Sequence, residues 1–122
     1  MLDLSGNDFK VLPSTFSNLI NLEELFINDD KYFKLDKNIP ILSQLPKLTS
    51  LHLENDGLKS LPKNTPSLTH IEFLYLNNNE FEEVPMELKD LGSLKYLDLH
   101  DNKLGIPPKE IENKNFGYKI NF

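Results

Sequence analysis

A single phrase, written five times, decides what this chain can fold into. It reads Leu2-x-Leu4-x-x-Asn7-x-Phe9, then Leu25-x-Ile27-x-x-Asp30-x-Tyr32 and Leu51-x-Leu53-x-x-Asp56-x-Leu58. Leu74-x-Leu76-x-x-Asn79-x-Phe81 and Leu97-x-Leu99-x-x-Asn102-x-Leu104 complete the series. The Asn or Asp anchors lie 23, 26, 23 and 23 residues apart, and a fixed period of this size marks a stacked repeat. The single 26 places a three-residue insertion between Leu35 and Leu42, where Asp36 to Pro40 reads as a longer loop. Behind the anchors runs a second phrase, clearest as Leu12-Pro13-x-x-Phe16-x-x-Leu19 and Val84-Pro85-x-x-Leu88-x-x-Leu91.

Leu-x-Leu alternation puts both leucines on one face of a strand. A strand of about three residues cannot stand alone, so each copy must pair with the copy in the next unit. Copies running in one direction pair in parallel, through a return crossover behind the sheet. The Pro fixes a turn into that return leg, where the spacing of Phe16, Leu19 and Leu22 suits a short helical turn. At the anchor the chain bends out of the strand, and a buried carboxamide there can both donate to and accept from the backbone. The pattern predicts an α/β fold: a right-handed curved solenoid with short parallel strands on the concave face and turns, 3₁₀ or short helical segments on the convex face.

Composition closes other routes. Zero Cys excludes a disulfide scaffold, a thiolate metal site and a Cys nucleophile. The apolar runs are too short to span a membrane, and no signal-peptide pattern opens the chain at Met1. All 13 basic residues are Lys against 19 acidic ones, a net charge of −6, which argues against a nucleic-acid binder needing a basic stripe. No glycine-rich phosphate loop, HExxH or paired-acid motif is present, so no cofactor is expected. Ser50 beside His52 lacks an oxyanion hole and an orienting acid. His52 and His100, about 10 Å apart across two strand spacings, are too distant to share a metal. His70 reads as a surface residue in the return leg.

The segments LEELFINDD, LTSLHLEND, IEFLYLNNN and LKYLDLHDN resemble the Leu-x-x-Leu-x-Leu-x-x-Asn signature of leucine-rich repeats. The following LPxxΦxxL at a 23-residue period resembles the Ras-group subtype, also abundant in bacterial proteins. Five units are expected, over 1–21, 22–47 with the insertion, 48–70, 71–93 and 94–116, with a partial strand at 117–122, all in one domain. Departures from the pattern are Asp30 and Asp56 at the Asn position, which should weaken the anchor ladder, and Gly105-Ile106-Pro107-Pro108 and Lys114 in the fifth unit.

The resemblance places function on variable positions of the concave strands. Phe26, His52 and Tyr75 share one phase, and Phe73 and Tyr96 share another, giving five rings at positions expected to face solvent. Exposed aromatics on a rigid surface act as interaction anchors, while cross-strand stacking is the structural role they could otherwise serve. Asp3, Glu24, Asp29, Glu54, Asp98 and Asp101 add six carboxylates, equal to the net charge of −6. Such a field favours a basic partner segment. The expected partner-binding set is Glu24, Phe26, Asp29, His52, Glu54, Phe73, Tyr75, Asn77, Tyr96, Asp98, His100 and Asp101.

The function expected is therefore a non-enzymatic protein–protein interaction module, with no catalytic or metal residues and no membrane insertion. The alternatives are a structural or self-associating solenoid using uncapped ends at Leu2–Leu4 and Ile120–Phe122, or a targeting fragment of a larger ligase, kinase or surface protein. Lys-only basicity with abundant Asn and Ile points to an AT-rich coding sequence and so to a bacterium or protist. A cytoplasmic location is favoured over secretion or surface display, which would apply if the chain is part of a longer protein.

Overall fold

The computed structural model describes residues 1–105 and 117–122. The departures expected at Ile106-Pro107-Pro108 and Lys114 lie outside the described residues. Among the described residues, six parallel strands form one sheet in sequence order: β1 (Leu2–Asp3), β2 (Glu24–Phe26), β3 (Ser50–His52), β4 (Phe73–Tyr75), β5 (Tyr96–Asp98) and β6 (Lys119–Asn121). The register follows the repeat phase, with Leu2, Leu25, Leu51, Leu74, Leu97 and Ile120 in one continuous row. Backbone bonds extend the pairing past the strands, for example Ile27 N to His52 O and Leu53 N to Tyr75 O, both 2.9 Å.

The return legs carry 3₁₀ turns at Ser14–Asn18, Thr65–Ser67 and Met86–Asp90. Pro13 and Pro85 directly precede two of them, their φ already near the helical value at −66° and −61°. Between sheet and return legs lies the core. Leu25, Leu51, Leu74 and Leu97, with Ile27, Leu53, Leu76 and Leu99, meet Leu45, Leu68, Leu88 and Leu91. Each such side chain contributes about 2 kcal/mol by leaving water. Leu19 occupies the phase of Leu45, Leu68 and Leu91, yet is 41% exposed.

One expectation fails at the insertion. Leu35–Leu42 is an α-helix, α1, rather than a loop, and Pro40 lies inside it. Proline at 40 cannot donate to the Asp36 carbonyl one turn earlier. That carbonyl is taken instead by Asn64 Nδ2 at 2.9 Å, from the neighbouring return leg. Asn38, fully buried, binds α1 to the preceding unit: its Nδ2 donates to Lys10 O and Lys34 O, and its Oδ1 accepts from Leu12 N at 2.7 Å.

The anchors divide into two kinds. Asn79 Nδ2 donates to Leu53 O and Leu76 O at 2.9 Å, and its Oδ1 accepts from Asp56 N and Leu58 N at 3.0 Å. Asn102 repeats the pattern, donating to Leu76 O and Leu99 O and accepting from Phe81 N. Asp56 and Asp30 accept through Oδ1, from Asp30 N at 2.9 Å and Tyr32 N at 3.0 Å.

Candidate functional site

The concave face is built from three outward columns that the strand register aligns. The first holds Glu24, Ser50, Phe73, Tyr96 and Lys119. The second holds Asp3, Phe26, His52, Tyr75, Asp98 and Asn121. The third, just past the strands, holds Ser5, Asn28, Glu54, Asn77 and His100. Because strands sit about 4.8 Å apart, flat rings in one column can meet face to face.

They do. The Phe26 and His52 rings stack with centroids 3.8 Å apart and planes at 16°, and His52 and Tyr75 stack at 4.1 Å and 2°. Tyr75 then meets Tyr96 across columns at 5.7 Å, tilted by 56°. The edges of His52 are taken as well: Nε2 lies 3.0 Å from Glu24 Oε2 and Nδ1 lies 3.0 Å from Glu54 Oε2. With two rings and two carboxylates around it, His52 is 8% exposed and is not the solvent-facing ring that its phase suggests. Phe26, Phe73, Tyr75 and Tyr96 stay half-buried, each with an open face or edge.

Glu54 is the junction of a second network. Its Oε1 accepts from Asn77 Nδ2 at 2.9 Å, and its backbone amide donates to Asn28 Oδ1 at 2.8 Å. Asn77 and Asp98 are thereby buried in the sheet surface rather than displayed on it. Asp98 Oδ1 meets His100 Nδ1 at 2.5 Å and accepts from Asn121 Nδ2 at 3.3 Å. His100 Nε2 lies 3.5 Å from Asp101. The hydrogen bond from Asp98 raises the His100 pKa against the opposing effect of burial. Burial and the surrounding carboxylates raise both Tyr75 and Tyr96, so these phenols remain neutral donors. Hydrogen bonds from Ser5 lower Asp3.

Two features escaped the reading of the sequence. Gly6, Asp29, Asn55, Asn78 and Asp101 form one column of left-handed residues, with φ between 56° and 74°. Glycine, asparagine and aspartate tolerate that conformation, so backbone geometry is reason enough for Asp29 and Asp101 to be what they are. Their amides continue the sheet, as in Asp29 N to Glu54 O at 2.9 Å. The sign was legible as a glycine in phase with four Asx residues. The other feature is Lys119, which β6 sets beside Tyr96 on the concave face. The face therefore carries a lysine as well as its carboxylates, in a phase that could have been counted forward from Tyr96.

Among the described residues no group of three or more His, Asp or Glu side chains could hold a metal ion. Asn28, Asp29, Glu54, Asn55 and Asn78 line a shallow open depression of polar groups. His70 is exposed in the return leg.

The comparisons with known proteins agree with this geometry. Models of the leucine-rich repeat match residues 46–104 and residues 1–19. The chain belongs to the leucine-rich-repeat family. Members of the family are generally binding modules rather than catalysts. A leucine-rich-repeat protein of Leptospira interrogans superposes with a TM-score of 0.69 at 29% identity, over 99% of this chain and 30% of that one. The TLR13–ssRNA13 complex matches at 33% identity and a TM-score of 0.68, over 83% of this chain and 15% of that one. The Drosophila melanogaster SNF/U2A′ complex shares the fold, with a TM-score of 0.73 at 23% identity over 91% of this chain and 63% of its own. The leucine-rich-repeat chain thus spans under a third of the Leptospira protein. No curated protein sequence matches it.

Proposed function

We propose that this leucine-rich-repeat chain is a non-catalytic interaction module that takes a segment of a partner protein on its concave sheet. The observation that carries the reading is the run of rings Phe26, His52, Tyr75 and Tyr96 across four adjacent strands. Held on a rigid sheet, such rings offer apolar area with little ordering left to lose on binding. Phe73 lies in register with Tyr96 and widens the patch. Glu24, Glu54, Asp29 and Asp101 surround the rings with carboxylates, and Asn77, Asp98 and His100 brace the surface from beneath and beside.

Charge narrows the partner to a protein with a basic segment. Carboxylates along the face attract Lys and Arg and repel phosphate, so RNA, found with TLR13, is the less suited ligand here. Stacking gives the rings a structural share too, and His52, enclosed on every side, acts by holding Phe26 and Tyr75 in place. A displayed library of random peptides, selected on the full chain, tests the reading. Enrichment of Lys- or Arg-containing peptides, lost in a Phe73→Ala, Tyr96→Ala double variant of unchanged melting temperature, supports it. No enrichment, or selection indifferent to the double variant, sinks it.

Self-association is the second reading, and exposed Met1, Val11, Leu19 and Ile20 favour it. Sedimentation over a concentration series decides: a monomer at high concentration removes this reading.

A further inference from the structure

Two buried carboxyl groups stand where the anchor ladder uses an amide. Asp30 is 0% exposed and Asp56 5%, and the Oδ2 atom of each is buried without a hydrogen-bond partner. Asp56 Oδ1 accepts the amide of Asp30, the bond that Asn79 Oδ1 makes with the amide of Asp56 one unit later. The second atom differs. Asn79 Nδ2 donates to the carbonyls of Leu53 and Leu76. The register that pairs Phe26 with His52 and His52 with Tyr75 sets the carbonyls of Ile27 and Leu53 in the corresponding places for Asp56. An ionised carboxylate offers only lone pairs to such a place, whereas a carboxylic acid carries one O–H donor.

We propose that Asp56 is protonated in the folded chain and uses its Oδ2–H as the asparagine anchors use their amide, which makes the joint between β2 and β3 proton-dependent. This inference stands apart from the proposed function. The carboxylates around the joint favour the neutral acid. Asp30 faces Asp56 across the joint, Asp29 sits on the adjacent turn, Glu54 lies on the same turn, and Asp8 faces Asp30. Lys31 runs beside Gly57, with its Cγ 3.9 Å from where a Cβ on that glycine would sit. Among the described residues neither buried carboxyl forms an ion pair with a lysine. Burial, opposed in part by the Asp30 amide, pushes Asp56 up to about 8, and burial raises Asp30 as well.

The sign of the pH dependence follows. The folded chain holds a proton that the unfolded chain releases near the ordinary carboxylate value of about 4. Stability is therefore full below that value and falls as pH rises toward about 8. Glu24 and Phe26 lie on β2, so the order of that end of the concave face follows the state of this joint.

Carbon-13 NMR titration of the aspartate carboxyls in the full chain tests this, with Asp56→Asn giving the assignment. Thermal unfolding of parent and variant at pH 5 and pH 8 accompanies it. The expected result is a midpoint for Asp56 near 8. With it, D56N should melt roughly 5 °C or more above the parent at pH 8, the gap narrowing at pH 5. Asp29→Asn, at an exposed left-handed position that asparagine also tolerates, removes only one of the carboxylates around the joint and should change the parent's pH profile far less than D56N. A midpoint for Asp56 in the ordinary carboxylate range, a D56N that melts no higher than the parent at pH 8, or a D29N as effective as D56N would each overturn the proposal.

Discussion

The stretch from β3 to β5 and the stretch from β1 to β3 are built from the same phrase and held together differently. In the later stretch, Asn79 and Asn102 each donate to two carbonyls and accept from the next-door amide, so every unit is tied to its neighbour by one side chain. In the earlier stretch, Asp30 and Asp56 accept through Oδ1 and carry no amide donor. Cohesion there comes from the convex side, where α1 and Asn38 bind the return legs. A repeat array is thus fixed by its neighbour contacts rather than by any one way of making them. Where the inner ladder loses a donor, the insertion supplies an outer one.

Substitutions at the two kinds of anchor should separate the halves most sharply. Asn79→Ala takes the side-chain partner from the Leu53 carbonyl and from the amides of Asp56 and Leu58, while Leu76 O keeps Asn102, and should cost about 3–5 kcal/mol in chemical denaturation. Asp30→Ala removes an acceptor from Tyr32 N and should cost only about 1 kcal/mol. Equal losses would erase the distinction between the halves. Next comes Asn38→Ala, expected to cost about 2–3 kcal/mol because Lys10 O, Lys34 O and Leu12 N lose their shared partner. Its effect should appear as loosening of the earlier half, read by hydrogen exchange of the Leu4 and Gly6 amides that pair with β2 and its following turn.

The helix offers a finer cycle. Asn64→Ala should cost about 1 kcal/mol in the parent, because the Asp36 carbonyl loses its cap. In a Pro40→Ala background most of that cost should vanish, since the new amide at position 40 can claim the same carbonyl. Additive effects would show that the cap answers to something other than the proline. The smallest effect belongs to His100 in the later half. Its pKa is raised by Asp98, so its contribution is present at acid pH and lost as pH rises through the raised value. His100→Ala should flatten the pH profile of stability slightly near neutrality. An unchanged profile would mean that solvent screens the pair completely.

The strands, their parallel order and their register were all legible, because Leu-x-Leu at a constant phase admits one way to stack. The helix α1 was not, because Pro40 reads as a breaker until Asn64 is seen to complete the bond it breaks. On the concave face, the phases of Phe26, His52, Tyr75 and Tyr96 were legible and their exposures were not. Burial of His52 depends on Glu24 and Glu54, set by side-chain reach rather than by phase. Asp29 and Asp101 were read as charge, while the left-handed turn they occupy is a constraint that a glycine in the same column already signalled.

The measurement closest to the central claim is an amide footprint, by NMR chemical shift, of the full chain with a basic peptide taken from the selection described above. Binding on the concave sheet predicts shifts concentrated at β3, β4 and β5, over Ser50–His52, Phe73–Tyr75 and Tyr96–Asp98. Shifts concentrated instead at the 3₁₀ turns Ser14–Asn18 and Met86–Asp90 would contradict it.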